Sequence, residues 1–128
     1  MPVVDQISVF IENRPGQLGN LCDVLAEESI NIQAIMVPSG TDYGIVHLIV
    51  DRHDGALQAL GERSYRTYTS RVLDVELEDH PGALARLADR LSEEKIDIKY
   101  AYSAVAAGRG RLILAVSDAE RASRLLSG

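Results

Sequence analysis

VFIENRPGQLGNLCDVLAEESINI, residues 9–32, returns 66 positions later as VELEDHPGALARLADRLSEEKIDI, residues 75–98, without a gap. Pro15 falls on Pro81 and Gly16 on Gly82. The correspondence continues at Gly44/Gly110, Leu48/Leu114, Val50/Val116, Ala56/Ala122 and Leu60/Leu126. A shift of this length exceeds a solenoid repeat and suits one small domain. The chain therefore reads as a tandem pair of like modules, residues 1–70 and 71–128. Any chemistry belongs where the repeated Pro-Gly loop enters a helix.

Ile7, Val9 and Ile11 alternate with Ser8, Phe10 and Glu12, which predicts a strand over 5–12 with one buried side. Leu73, Val75 and Leu77 keep that face in the second copy, and Asp74, Glu76 and Glu78 point outward. Pro15-Gly16 is a turn signal. After it Leu18, Leu21, Cys22 and Leu25 recur at helical spacing, matched by Leu84, Leu87, Ala88 and Leu91. Residues 31–38 and 97–105 read as second strands. Residues 43–51 and 109–117 read as third strands after glycine-containing hairpins, and 54–62 and 118–127 as short second helices. Alternating aromatics and threonines over 65–70 read as a fourth strand. Tyr100 and Tyr102, on the buried face of their strand, are read as core filling.

Each unit is thus βαββαβ, the ferredoxin-like α+β arrangement, an antiparallel sheet with both helices on one face. The second unit is expected to lack a fourth strand of its own, because the sequence runs out after its second helix. In this topology the fourth strand flanks the first. Residues 72–78 are therefore expected to present an edge that the preceding unit or another chain fills. The join near Arg71 is tight, with no linker composition.

A unit of about 60 residues buries only about 60% of its unfolded surface and is marginal alone, so pairing within the chain and homodimerisation are expected. The 46% hydrophobic and 25% charged content is that of a soluble globular protein. No apolar run approaches the roughly 18 residues of a membrane helix, and no secretion signal is visible. Cys22 is the sole cysteine, which excludes an internal disulfide and fits a reducing, cytoplasmic setting. A net charge of −6 argues against a nucleic-acid partner, which selects a basic face.

The loop Asn13-Arg14-Pro15-Gly16-Gln17-Leu18 ends a strand and opens a helix, so N–H groups near Gly16, Gln17 and Leu18 should face solvent. Those donors and the positive end of the helix dipole suit a carboxylate. Gly16 lets a ligand approach the backbone, and Pro15 fixes the entry angle. Asn13 offers an amide oxygen to an ammonium group, and Asn31, beside Ile32 at the next strand start, offers another. Carboxylate plus ammonium is the signature of a free α-amino acid. The alternative, in which Pro-Gly only shapes the turn and Asn13 caps the helix, stays open on the residues alone.

The second copy changes these positions to Asp79, His80, Pro81, Gly82, Ala83, Leu84, Asp97 and Ile98. Its two added carboxylates repel a ligand carboxylate while attracting an ammonium, so it reads as a weaker or altered second site. Other reactive side chains point nowhere. His47, His53 and His80 have no neighbours at metal-ligand spacing, and Cys22 sits in the apolar stripe. Ser39, Ser103 and Ser117 lack a base, and Gly108-Arg109-Gly110 is a hairpin tip without a following helix. No catalytic residue, metal or cofactor is expected.

With these motifs in hand, the module resembles an ACT domain, the small regulatory unit found on enzymes of amino-acid metabolism. The likeness covers essentially the whole chain, twice, as in stand-alone tandem ACT proteins. Glu12-Asn13-Arg14-Pro15-Gly16-Gln17-Leu18 followed by Ile30-Asn31-Ile32 is similar to the serine-binding regulatory domain of phosphoglycerate dehydrogenase, whose motif is His-Glu-Asn-Arg-Pro-Gly. The resemblance implies an effector amino acid bound where two ACT units meet, with Asn13 from one and Asn31 from the other. The family's histidine is Ile11 here, which removes one polar contact. It further implies a regulatory, non-enzymatic role. A rival within that role is docking on a biosynthetic enzyme through Phe10, Ile45, His47 and Ile49.

Overall fold

The computed structural model describes residues 2–12, 14–37, 43–78, 80–104 and 110–127. Their elements are β1 (Val3–Glu12), α1 (Gln17–Glu27), β2 (Ile32–Met36), β3 (Tyr43–Val50), α2 (His53–Glu62), β4 (Arg66–Leu77), α3 (Ala83–Glu93), β5 (Ile98–Ala104), β6 (Gly110–Val116) and α4 (Ala119–Ser127). The fold is α+β, two ferredoxin-like units, as the repeat predicts. Expected strands 65–70 and 72–78 turn out to be one continuous strand, β4, because no glycine or proline interrupts residues 66–77.

Contacts divide the chain into two compact units, Asp5–Ser70 and Met1–Val4 with Arg71–Gly128. In the first, the strand order is β2-β3-β1-β4. Antiparallel pairing sets Ile7 opposite Leu48 and Val9 opposite Val46. Ile7, Val9 and Ile11 form one buried cluster with Leu21 and Leu25 of α1 and Ala56 and Leu60 of α2, so both helices cover that face. In the second, the order is β1-β4-β6-β5. Leu73 and Val75, opposite Leu114 and Leu112, form the matching cluster with Leu87, Leu91, Ala122 and Leu126. Burial of such side chains stabilises each unit by roughly 1.5–3 kcal/mol per residue.

The edge expected to be open in the second unit is occupied by the chain's own first residues. The Pro2 carbonyl accepts the Asp74 N–H at 3.1 Å, and Val3 packs against that unit's core. Residues 2–4 thereby satisfy β4 backbone where a fourth strand would otherwise do so.

The expectation that β1 buries one side only needs correction. Gln6 and Ser8, on the opposite face from Ile7 and Val9, are also fully buried. They are tolerated because they are hydrogen-bonded. Gln6 Nε2 lies 3.3 Å from His47 Nδ1 and 3.4 Å from Ser70 Oγ, and Ser8 Oγ lies 2.9 Å from His47 Nδ1. Loss of solvent pushes the His47 ring below its ordinary pKa. Tyr102, read as core filling, is buried and stacks on Tyr100 with ring centroids 6.4 Å apart.

Three helices end alike. Ser29, Ser64 and Lys95 take left-handed φ values of 55°, 66° and 58°. Beyond them, the N–H groups of Ile30, Tyr65 and Ile96 reach back to the carbonyls of Leu25, Leu60 and Leu91. This is the Schellman ending, in which glycine normally holds the left-handed position. Ser29→Gly, Ser64→Gly or Lys95→Gly should each raise stability by about 0.5–1 kcal/mol in urea unfolding, since left-handed backbone costs an L-residue more than glycine's extra chain entropy. Acid should weaken the fold through His47. Its folded pKa is depressed, so its contribution is complete above about pH 6.5 and is lost as pH falls below that toward the folded value. His47→Gln should flatten that part of a thermal-stability profile against pH.

Candidate functional site

Each candidate site begins at a glycine hinge. Gly16 and Gly82, the residues preceding α1 and α3, have φ of +88° and +91°. At those angles a Cβ is strained whatever the space around it. Glycine there lets a strand end turn directly into a helix whose apolar stripe lands on its sheet.

In the first copy the Arg14 N–H donates to the Glu12 carbonyl at 2.9 Å, and their side chains pair at 2.6 Å on the surface. The Gln17 N–H is occupied by the Arg14 carbonyl at 3.2 Å, and the Asn20 N–H makes the first helical bond, to Gly16. Of the expected donors, then, Gln17 is taken within the loop. Among the described residues the Leu18 N–H finds no acceptor. Pro15 and Gly16 are exposed, and Leu18 packs partly against the core. Asn13 lies outside the described residues, as do Asp79, Ser39 and Gly108-Arg109.

Asn31 and Ile32 are not brought beside this loop within the unit. They stand past the far end of α1, whose 11 residues span about 16 Å. Asn31 is exposed, and its N–H is held by the Asp51 carboxylate at 3.0 Å. Asp97 repeats the arrangement with the Ser117 hydroxyl at 3.1 Å, next to a partly exposed Ile98.

The second copy repeats the backbone and changes the chemistry. The Ala83 N–H donates to the His80 carbonyl at 3.3 Å, and the Leu84 N–H finds no acceptor among the described residues. His80 Nε2 lies 2.9 Å from Glu78 Oε2, its Nδ1 lies 3.0 Å from the Pro81 carbonyl, and Arg86 lies 3.3 Å from the ring. Hydrogen bonding to the Pro81 carbonyl and then to the Glu78 carboxylate raises the His80 pKa above its ordinary value, against the opposing Arg86 charge.

Beside this loop lies a cavity of about 220 Å³, lined among others by Leu77, Glu78, His80, Leu84, Arg111 and Leu112. Arg111 donates from Nε and Nη2 to the two oxygens of Asp74, a bidentate pair that fixes its fork. The repeat alone did not single out Glu78, Ser103, Arg111 or Leu112. The signal was in the pairing: Leu77 lies opposite Gly110, as Ile11 lies opposite Gly44, which brings the hairpin base to the loop. Close approach explains Gly110, where a Cβ would stand 3.2 Å from the Leu77 carbonyl.

The first unit has a larger hollow of about 540 Å³ that touches Gln17. It otherwise follows the outer side of α1, along Asn20, Asp23 and Glu27, to Arg63 and Tyr65. The other reactive side chains stay apart. His47, His53 and His80 sit on β3, on α2 and in the loop before α3. The half-buried Cys22 thiol is pushed up in pKa, first by burial and then by Asp23. Phe10 and Ile45 stand opposite each other, 41% and 37% exposed. Ile49 is buried and His47 is tied into the Gln6–Ser8 cluster, so the docking face expected from sequence keeps only part of its residues.

A family model described as an ACT domain pair matches residues 2–127. The chain belongs to that family. ACT pairs are a regulatory family, and this chain is a regulatory module of that kind. A crystallised protein of Bacteroides thetaiotaomicron is 31% identical, with a TM-score of 0.91 over 98% of this chain and 87% of that one. The regulatory subunit of aspartate kinase from Thermus thermophilus, in its ligand-free form, shares the fold at 19% identity, with a TM-score of 0.69 over 99% and 96%. Aspartate kinase from Synechocystis shares it at 20% identity and a TM-score of 0.65, over 96% of this ACT pair and 24% of that enzyme. No curated protein matches. No helix of the described residues is long and apolar enough to cross a membrane.

The environments of the two histidines differ enough to be measured. In a proton NMR titration the His80 midpoint should lie above about 6.5 and that of His47 below it. Glu78→Gln should move His80 downward and leave His47 in place.

Proposed function

We propose that this ACT pair, with sequence repeats 1–70 and 71–128, is a non-enzymatic cytoplasmic sensor of a free amino acid, acting as a homodimer. The observation that carries the proposal is the pair of glycine hinges. Both strand ends turn through a left-handed glycine, and beyond each one a leucine N–H lacks an acceptor among the described residues. Such a terminus favours a carboxylate. Asn13 and Asn31 remain the proposed ammonium partners of the first copy, and Glu78, found beside the second loop, takes that role in the other. A bound effector would shift the protein between arrangements by no more than its differential affinity for them.

A second reading has one observation in its favour. The exposed Phe10–Ile45 pair offers an apolar spot for docking on a biosynthetic enzyme without any ligand. Titration calorimetry and thermal shift with the twenty amino acids separate the two. An amino acid at about 100 times its dissociation constant should stabilise the protein by about 2.7 kcal/mol. Asn13→Ala should abolish binding at the first copy. Silence across the whole panel rejects the sensor and leaves docking.

A further inference from the structure

We infer that the two units open and close as one cooperative body, because each of the strands β1 and β4 begins in one unit and ends in the other. β1 runs from Val3 to Glu12, and the division between the units falls inside it, with Val4 in the second and Asp5 in the first. β4 runs from Arg66 to Leu77 and crosses the other way, with Ser70 in the first and Arg71 in the second. The sequence repeat marks the crossing at 70/71 and gives no sign of the one at 4/5.

Both crossings are single peptide bonds within a strand. Neither Val3–Glu12 nor Arg66–Leu77 contains a glycine or a proline, so no residue loosens the backbone where it passes from unit to unit. Each strand is also anchored on both sides of its crossing. At the start of β1 the Pro2 carbonyl accepts the Asp74 N–H and Val3 packs on the second core, while Ile7, Val9 and Ile11 fill the first. On β4 the Ser70 hydroxyl accepts a hydrogen bond from Gln6 in the first unit, while Leu73 and Val75 fill the core of the second.

Modules joined by a flexible linker open one at a time, since few contacts cross between them. Here the loss of either unit releases a strand end that the other uses, and leaves backbone N–H and C=O groups unpaired. A unit of about 60 residues has little interior with which to offset that loss. Opening of one therefore carries the other with it. Whatever binds the folded form of one unit then suppresses opening of both, and the linkage is reciprocal. Occupancy of one repeat is transmitted to the other without a ligand that touches both.

Native-state hydrogen exchange of the full chain, with nothing bound, tests this. β3 and β6 each lie between two neighbours in the sheet, so their amides report opening of the first and the second unit. Leu60→Ala removes a fully buried side chain from the first core, and Leu91→Ala does so in the second. Each should speed exchange in β3 and in β6 by the same factor, roughly thirty-fold or more. Ile30→Val and Ile96→Val make the same comparison at roughly two- to ten-fold where the alanine variants do not fold. Val3→Asp, a change where β1 packs on the second core, should speed exchange in β3 as well. Acceleration confined to the unit that carries the substitution overturns the inference, and so does exchange in β3 that ignores Val3→Asp.

Discussion

A positive φ near 90° at two glycines sets the direction of the chain at the start of each unit's first helix. It lets β1 and β4 pass into a helix through a short loop, so the stripe from Leu18 to Leu25, or from Leu84 to Leu91, is aimed at the strand it has just left. The same turn leaves backbone donors at the helix start without carbonyls to satisfy them. Fold and candidate chemistry therefore share one cause. At Gly16 nothing stands within 4 Å of where a Cβ would be, so conformation alone demands glycine there. At Gly82 a Cβ would also press on the flexible end of Arg86, a lesser objection.

Small size is the second constraint. Each unit has little interior to spare, and among the described residues no strand after α4 covers β4. Residues 2–4 do that work through the Pro2 carbonyl and the packing of Val3. Gln6 and Ser8 obey a related logic. Buried polar side chains are stable only as a closed hydrogen-bonded set, and His47 and Ser70 close it.

Much of this could be read from the residues, and the remainder escaped for definite physical reasons. Helices and strands announce themselves through local periodicity, and the duplication gives every element but the fourth strand a second instance. The continuity of β4 is hidden because the repeat places a boundary at Arg71, whereas the extended backbone runs through it. Burial of Gln6 and Ser8 was hidden because polarity marks solvent exposure only when no partner is near, and their partners are about 40 and 60 residues away in sequence. At the second site the loop was visible but its companions were not. Ser103 and Arg111 reach it through strand pairing, which spacing along the chain does not encode.

Divergence between the copies is where selection on function would leave its mark, and it is not spread evenly. Positions that build the fold stay apolar in both: Val9 and Val75, Leu21 and Leu87, Leu25 and Leu91, Leu48 and Leu114. Charge changes around the helix starts instead. An exposed Glu12–Arg14 pair, closed on itself, stands in one. Glu78, His80 and Arg86 stand around the other. Surface pairs of the first kind contribute little and are readily broken by a ligand. The partly buried Arg111–Asp74 fork, on the sheet face opposite Leu112, is particular to the second unit, because Ile45 and Ser8 stand at those positions in the first. The two helix starts therefore share one backbone geometry and differ in charge.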